Sequence, residues 1–285
     1  MKSFQNSVWV SKMKISVFYE HIAEAAIQEN KKVSDICKIA SSFGIKGVEI
    51  ENARLLREKE EVIKNLNDAD MEISCMYGFF DFAHKDDVAD GIKMIDLAEE
   101  LHIKKVMLIP GFLKKYEFWK PFYQKKLDKM VSSLSKICTY AKEKNIMVVL
   151  EDFDDKIAPF ATSKQLMYFY NKIPGLYCAF DTGNFLYSEE DALEVLPSFI
   201  DRIGHVHCKD RTFTVKEGEN PKATIKGRNM YSCAVGSGCI AMKEIVKTIL
   251  KSGYHDYFAI EHFGSLQQLR DMELSAQWLM ERASE

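Results

Sequence analysis

Four apolar segments of the sequence each end at a residue able to bind a metal ion. Each segment has the length of one β-strand, and an unbroken apolar strand is typical of a parallel sheet that is covered on both faces. The carboxyl ends of such strands meet at one rim, where parallel barrels place their chemistry. The apolar segments 146–150, 176–180, 203–206 and 257–260 are followed by Glu151, Asp181, His207 and Glu261.

Three carboxylates and one imidazole form a typical ligand set for a divalent cation. We expect Mn²⁺, with Mg²⁺, Co²⁺ or Zn²⁺ as alternatives. Taken singly, each carboxylate is as easily explained by a helix N-cap or a surface salt bridge, and Asp181 also suits the turn at 182–184. His205 and His207 share one face of their strand, and we choose His207 as the ligand because it lies nearer the carboxyl end.

The patterning of the whole chain predicts eight strands that alternate with eight helices. Strands joined by crossover helices are parallel, and eight such units are typical of a single (β/α)8 TIM barrel, an α/β fold, over residues 1–285. A doubly wound open sheet is the alternative, but no Gly-x-Gly-x-x-Gly turn follows the first strand. The predicted strands are 13–19, 47–50, 71–77, 105–109, 146–150, 176–180, 203–208 and 257–261. The predicted helices are 33–43, 53–68, 85–101, 121–144, 162–172, 189–200, 240–251 and 266–282.

Two segments fall outside this alternation. Residues 1–12 lack a clear period, and we expect an arm packed across one end of the fold. Residues 212–238 form a long loop after strand 7, rich in glycine and lysine. Its place at the binding rim favours a substrate lid over a simple solvated loop.

Composition excludes several classes of function. The net charge of −3 gives no broad basic field, so we expect no nucleic-acid partner. No run of eighteen apolar residues occurs, which predicts no membrane span. The seven cysteines are scattered without CxxC pairs, which disfavours a disulfide framework and indicates a reducing, cytoplasmic setting. A homo-oligomer is compatible with all of these features.

Around the four strand ends, the sequence resembles the sugar phosphate isomerase/epimerase family, whose fold is a xylose-isomerase-like TIM barrel. The resemblance covers essentially the whole chain, with its specific motifs in the second half. These motifs are Leu-Glu-Asp-Phe at 150–153, Phe-Asp-Thr-Gly-Asn at 180–184, His-Val-His-Cys-Lys-Asp at 205–210 and Ile-Glu-His-Phe at 260–263. The resemblance implies that Glu151, Asp181, His207 and Glu261 are the metal ligands, and that Glu151 and Glu261 also transfer protons in catalysis.

The function that this resemblance implies is a metal-dependent isomerase or epimerase of a small ketose or sugar phosphate. Two glutamates would move a proton through a metal-stabilised enediolate. The alternatives are a metal-dependent lyase similar to inosose dehydratase, and a sugar-binding barrel without turnover. The chain departs from ketose 3-epimerases, because Asn184 stands where they carry a histidine and Arg211 lies nearer to His207 than their arginine does.

Five further residues are candidates for substrate binding. Lys209 has the same strand parity as His207, and Glu49 ends the second strand. Each has an ordinary alternative role, a rim salt bridge for Lys209 and an acidic rim for Glu49. Trp119 belongs to an aromatic cluster after strand four that suits either a sugar-stacking wall or helix packing. The full set is Asn184, Lys209, Glu49, Arg211 and Trp119.

Overall fold

Eight parallel strands form a closed barrel in this computed structural model, which describes residues 13–119 and 121–283. The barrel strands follow the chain order β1 to β7, and the last one pairs with both β7 and β1. This confirms the predicted TIM barrel. The barrel strands are β1 Lys14–Phe18, β2 Gly47–Glu51, β3 Glu72–Phe79, β4 Lys105–Ile109, β5 Met147–Leu150, β6 Leu176–Asp181, β7 Ile203–Cys208 and β11 Tyr257–Ile260. The remaining strands are β8 Asp210–Thr212, β9 Lys222–Ala223 and β10 Asn229–Cys233.

The helices agree with the predicted alternation except at three places. Two helices were not predicted: α1 follows β1 directly and precedes the expected helix, and the short α7 follows β6. The predicted helix 189–200 is instead the short α8 followed by two 3-10 turns, Leu196–Ser198 and Ile200–Arg202, because Pro197 has no amide hydrogen for a continuing helix. The helices are α1 Tyr19–Gln28, α2 Val33–Ser42, α3 Asn52–Asp68, α4 Val88–Glu100, α5 Phe122–Glu143, α6 Ser163–Lys172, α7 Asn184–Tyr187, α8 Ala192–Val195, α9 Met242–Lys251 and α10 Gln268–Arg282.

The core lies inside the barrel and between the barrel and its helices. Every residue of β4 is buried, as expected for a strand covered on both faces. Helix α5 shows the complementary pattern, because its buried residues recur at helical spacing and face the sheet. Those residues are Leu127, Met130, Ser133, Leu134, Ile137, Cys138 and Ala141. Among the described residues, none of the helices has both the length and the apolar character needed to cross a bilayer.

The segment after β7 is more ordered than the long loop that we predicted. It contributes β8, β9 and β10, which form a small antiparallel sheet. The Asp210 carboxylate on β8 holds the loop between β10 and α9 in place by accepting backbone hydrogen bonds from Gly236, Gly238 and Ile240 at 2.9–3.2 Å. The arm that we predicted for residues 1–12 lies outside the described residues.

The first residue of β2 offers a test of barrel packing. A Cβ at Gly47 would lie 2.6 Å from Cε1 of Tyr257 and 3.0 Å from Cβ of Ser16. The Tyr257 ring is held in place because its hydroxyl donates to Glu72 at 2.8 Å. We expect Gly47→Ala to lower the free energy of unfolding by about 1–3 kcal/mol through overpacking. Urea denaturation measures this loss, and an unchanged midpoint would contradict it.

Candidate metal centre and substrate cavity

The structure brings the four strand-end residues of the sequence pattern together. One ligand atom from each lies within 4.8 Å of those of the others, and all four residues are buried. From His207 Nδ1, the distances are 2.8 Å to Glu151 Oε2, 3.4 Å to Glu261 Oε2 and 3.8 Å to Asp181 Oδ2. A closed barrel makes this possible because it turns the carboxyl ends of separate strands toward one point.

Asp181 serves the local turn and the cluster at once. Its Oδ1 accepts hydrogen bonds from the backbone N–H groups of Gly183 at 2.7 Å and Asn184 at 2.8 Å. Its Oδ2 faces His207 and Lys209. A Cβ at Gly183 would lie 2.6 Å from the Lys209 carbonyl oxygen, so the turn can approach β7 this closely only with glycine. The two explanations of Asp181 that the sequence left open are therefore compatible.

Burial and the neighbouring charges raise the pKa values of Glu151, Glu261 and His207 and lower that of Asp181. Burial, reinforced by the Asp181 charge, raises the pKa of Glu261 to about 8, although Lys209 opposes the shift. Burial also raises the pKa of Glu151. For Asp181, the nearby Lys209 and His207 outweigh burial and hold the pKa below its ordinary value. Burial alone would lower the pKa of His207, but the Glu49 and Glu151 carboxylates raise it well above its usual range.

Lys209 supplies positive charge at the edge of the cluster. Its ammonium lies 3.1 Å from Asp181 Oδ2, donates to Asn184 Oδ1 at 2.7 Å and contacts the Glu261 carboxylate. Among the described residues, Glu261 Oε2 has no hydrogen-bond partner although it is buried. An orphaned carboxylate oxygen beside an imidazole nitrogen and two further carboxylates fits a divalent cation. The residues present therefore fit the metal that the sequence predicted.

The cluster opens into a cavity of about 570 Å³. Three of the predicted substrate contacts line it, namely Asn184, Lys209 and Arg211. Five of its lining residues are aromatic and in contact with one another, and Lys209, Arg211 and Lys222 contribute positive charge to the lining. The segment after β7 contributes Asn220, Pro221, Lys222, Met230 and Ser232, as its predicted place at the binding rim required. The aromatic residues are Phe18, Tyr77, Phe79, Phe153 and Phe263.

Sequence reasoning missed part of this cavity. Arg211 and Lys222 share one carboxylate, that of Asp154, at 3.3 Å each. Phe153 is the last residue of the Glu151 motif and Asp154 directly follows it, so their place at the rim was a usable signal. No sequence motif marks Lys222, because it lines the cavity only as a result of its position on β9 in the small sheet.

Two predicted substrate contacts lie elsewhere. Glu49 is fully buried beneath the cluster, with Oε2 3.2 Å from His207 Nε2, and it does not line the cavity. The expectation that Glu49 ends the second strand is wrong, because Glu49 is the third of the five residues of β2 and its side chain points into the barrel toward His205 and His207. Trp119 is 77% exposed and also does not line the cavity, because it follows the 3-10 helix Lys115–Phe118 with its ring in solvent. We therefore remove both residues from the set of substrate contacts.

The structure is thus a closed parallel barrel that gathers carboxylates and an imidazole at its carboxyl rim, beside a cavity, where they form a candidate metal centre. The chain belongs to the xylose isomerase-like TIM barrel family, whose model matches residues 37–282. Inosose dehydratase from Clostridium perfringens strain 13 is 30% identical over 241 residues, which cover 76% of this chain and 78% of the relative.

Solved structures of the same fold include sugar enzymes. The D-allulose 3-epimerase from Methylomonas sp., solved in complex with D-allulose, superposes with a TM-score of 0.70 at 13% identity, covering 95% of this chain and 98% of that one. A xylose isomerase-like barrel protein from Mycobacterium smegmatis, solved in complex with magnesium, superposes with a TM-score of 0.65 at 15% identity, covering 88% of each chain. At these identities, the two superpositions establish the fold alone.

The Lys209 ammonium offsets the negative charge of Asp181 and Glu261, and this role can be tested by removing its charge. Lys209→Met leaves Asp181 and Glu261 buried together without their ammonium partner. We expect the metal-free protein to lose about 3–5 kcal/mol of unfolding free energy, the usual cost of breaking a buried ion pair. Saturating Mn²⁺ should recover part of this loss. Chemical denaturation with chelator and with Mn²⁺ measures both effects.

Lys216→Met is the matched control for this substitution. Lys216 is a half-buried lysine of the segment after β7 that bonds to the Ser232 carbonyl at 2.8 Å and Glu219 at 3.1 Å. Lys216→Met should lower the free energy of unfolding by the same amount with and without Mn²⁺. A Lys209→Met variant whose loss is equally independent of metal would contradict the role that we assign to this ammonium.

Metal affinity should rise with pH. In the metal-free protein, the raised pKa values of His207 and Glu261 keep both groups protonated at neutral pH, and a cation can bind only after it displaces those protons. Affinity for Mn²⁺ should therefore increase as the pH approaches about 8, the pKa of Glu261. Calorimetric titration in buffers of different ionisation enthalpy measures the proton release, and an affinity independent of pH would refute this expectation.

Proposed function

We propose that the protein is a divalent-metal-dependent enzyme that removes the proton next to the carbonyl of a small polyhydroxylated ketone. The observation that carries the proposal is the placement of Glu151 and Glu261. Strands β6 and β7 lie between β5 and β11 in the barrel, so the two glutamates flank Asp181 and His207 from opposite sides. Both glutamates also line the cavity.

This arrangement allows proton transfer on two sides of a bound ketone. One glutamate, as a carboxylate, takes the proton from the carbon beside the carbonyl. The other holds a proton and delivers it to the far face, to the neighbouring carbon or to a departing hydroxyl. A divalent cation held by Glu151, Asp181, His207 and Glu261 would supply polarisation of the carbonyl and stabilisation of the negative charge that develops on its oxygen.

The cavity suits a sugar-like molecule. Its aromatic wall can pack on apolar C–H faces, while Lys209 and Arg211 can donate hydrogen bonds to substrate oxygens. Asn184 contributes indirectly, because its amide already donates to the Asp152 carbonyl and accepts from Lys209. All seven cysteines are free thiols, which supports a place in the reducing cytoplasm.

Two outcomes of proton removal are candidates. Return of the proton to carbon gives isomerisation or epimerisation, which the resemblance to sugar phosphate isomerases implies. Loss of a neighbouring hydroxyl as water gives a dehydratase, the second candidate, which the 30% identity to an inosose dehydratase favours. The replacement of the epimerase histidine by Asn184 favours the same outcome.

A screen in deuterated water tests the shared first step. The full chain is incubated with Mn²⁺ and either an inosose or a ketose such as D-allulose. We expect loss of the α-proton signal by NMR, together with either a new stereoisomer or a product lighter by one water in the mass spectrum. Chelation should abolish the exchange. Tight binding of these ketones without any exchange would support the barrel without turnover and overturn the proposal.

Single substitutions then test the two glutamates. We expect Glu151→Gln and Glu261→Gln each to slow α-proton exchange by about 10²–10⁴-fold, the usual contribution of a general acid or base. Metal content, measured for each variant, separates lost chemistry from lost metal. Glu60→Gln, at an exposed position of α3, is the charge-matched control and should exchange at the wild-type rate. Wild-type exchange in either active-site variant would remove that glutamate from the mechanism.

A further inference from the structure

A column of polar side chains runs through the barrel interior beneath the metal centre. Lys105 on β4, His205 on β7 and Glu49 on β2 are at most 3% exposed. The Lys105 ammonium lies 2.9 Å from both Asp256 Oδ2 and His205 Nδ1. His205 Nε2 contacts Glu49 Oε1, and Glu49 Oε2 lies 3.2 Å from His207 Nε2. The column thus connects the partly exposed Asp256 to the imidazole of the metal centre.

The chemistry of the end groups fixes the direction of every hydrogen bond in this column. An ammonium can only donate, so His205 Nδ1 must accept and the His205 ring proton must lie on Nε2. An ionised carboxylate can only accept, so both imidazoles must present an N–H group to Glu49. The proton of neutral His207 is therefore placed on Nε2. Its Nδ1 lone pair is left facing Glu151 and Glu261.

We infer that Lys105, His205 and Glu49 form a tautomer-setting column, in which Glu49 is a positioning residue that holds His207 with Nδ1 available to a cation. The inference rests on the proposed metal centre and deepens it. Carboxylates that accept the second N–H of a metal-binding imidazole orient the ring, and their loss typically costs about 10–100-fold in metal affinity. This role explains why an acid in the middle of β2 is buried away from the cavity.

Glu49→Gln is the informative substitution. In Glu49, one carboxylate oxygen faces each imidazole. Glutamine keeps an oxygen at only one of these two positions, and its amide N–H groups at the other position donate to the imidazole there, which must then carry its proton on Nδ1. We expect the affinity for Mg²⁺ or Mn²⁺, measured by calorimetry, to fall by about 10–100-fold. We also expect long-range ¹H–¹⁵N NMR of histidine-labelled protein to show an altered tautomer for His205 or His207.

Cys75→Ala controls for packing in the same layer. The Cys75 sulfur lies within 4.8 Å of the ligand atoms of Glu49 and His205, but its only hydrogen bond among the described residues is a long one to the Met76 carbonyl. This variant should lose stability while keeping both tautomers and the metal affinity. An equal loss of affinity in Cys75→Ala and Glu49→Gln would assign the effect to packing and overturn the inference.

The long-range ¹H–¹⁵N NMR spectrum of the wild-type protein tests the inference even if Glu49→Gln does not fold. The inference requires the Nε2–H form of His205 without metal, and of both histidines in the Mg²⁺-loaded protein. An Nδ1–H form of either ring would refute the column. Failure of the proposed function is distinguishable, because a wild-type chain that binds no divalent cation would show it by calorimetry. That result would also remove the metal role of Glu49, while the His205 tautomer would still report on the lower part of the column.

Discussion

The whole site depends on one electrostatic constraint: three carboxylates and an imidazole are buried together in a small volume beside the cavity. An isolated buried carboxylate is costly, and three together are tolerable only with positive charge and hydrogen-bond donors close by. The structure supplies these from several directions. Lys209 approaches Asp181 and Glu261 from one side, and the backbone N–H groups of the 182–184 turn satisfy the other oxygen of Asp181.

The barrel meets this constraint through its geometry. Glu151 and Glu261 lie just beyond the ends of β5 and β11, Asp181 is the last residue of β6 and His207 is the last but one of β7, so the four residues form one layer at the rim. In the layer below, Lys105, His205 and Glu49 are also buried, and each of them has a partner. Lys105 contacts His205 and Asp256, and Glu49 contacts two histidines. Buried polar networks of this kind are stabilising only when every member is satisfied.

The sequence predicted those features that are encoded locally. An apolar run that ends in an acid is visible along the chain, so the order of residues alone was enough to predict that Glu151, Asp181 and Glu261 meet at one rim of the barrel. Glu49 followed the same local pattern, yet its role depends on β7, which is not its neighbour in the barrel. A contact across the barrel interior leaves no trace in local patterning. The orientation of Trp119 was equally hidden, since it depends on how a short 3-10 helix ends.

The predictions of secondary structure also succeeded where the signal is local and failed where it is not. The strong periodicity of α5 predicted its position to within about two residues. Helix α1 begins directly at the end of β1 with no intervening turn, so no breaker in the sequence separated the two elements. The small sheet of β8, β9 and β10 was not predicted, because β8 and β9 are too short for an alternating pattern to be recognised. The loop after β10 is held against β8 by backbone N–H groups that donate to the Asp210 carboxylate, a contact that local patterning does not show.

The ammonium of Lys209 has a consequence for the biogenesis of the protein. Small zinc domains need their ion in order to fold, because nothing else neutralises their ligands. Here the Lys209 ammonium already lies at the edge of the cluster, so the newly made chain can fold without a metal ion. Under the proposed function, the divalent cation then binds to a finished scaffold, and its supply is not a condition for folding.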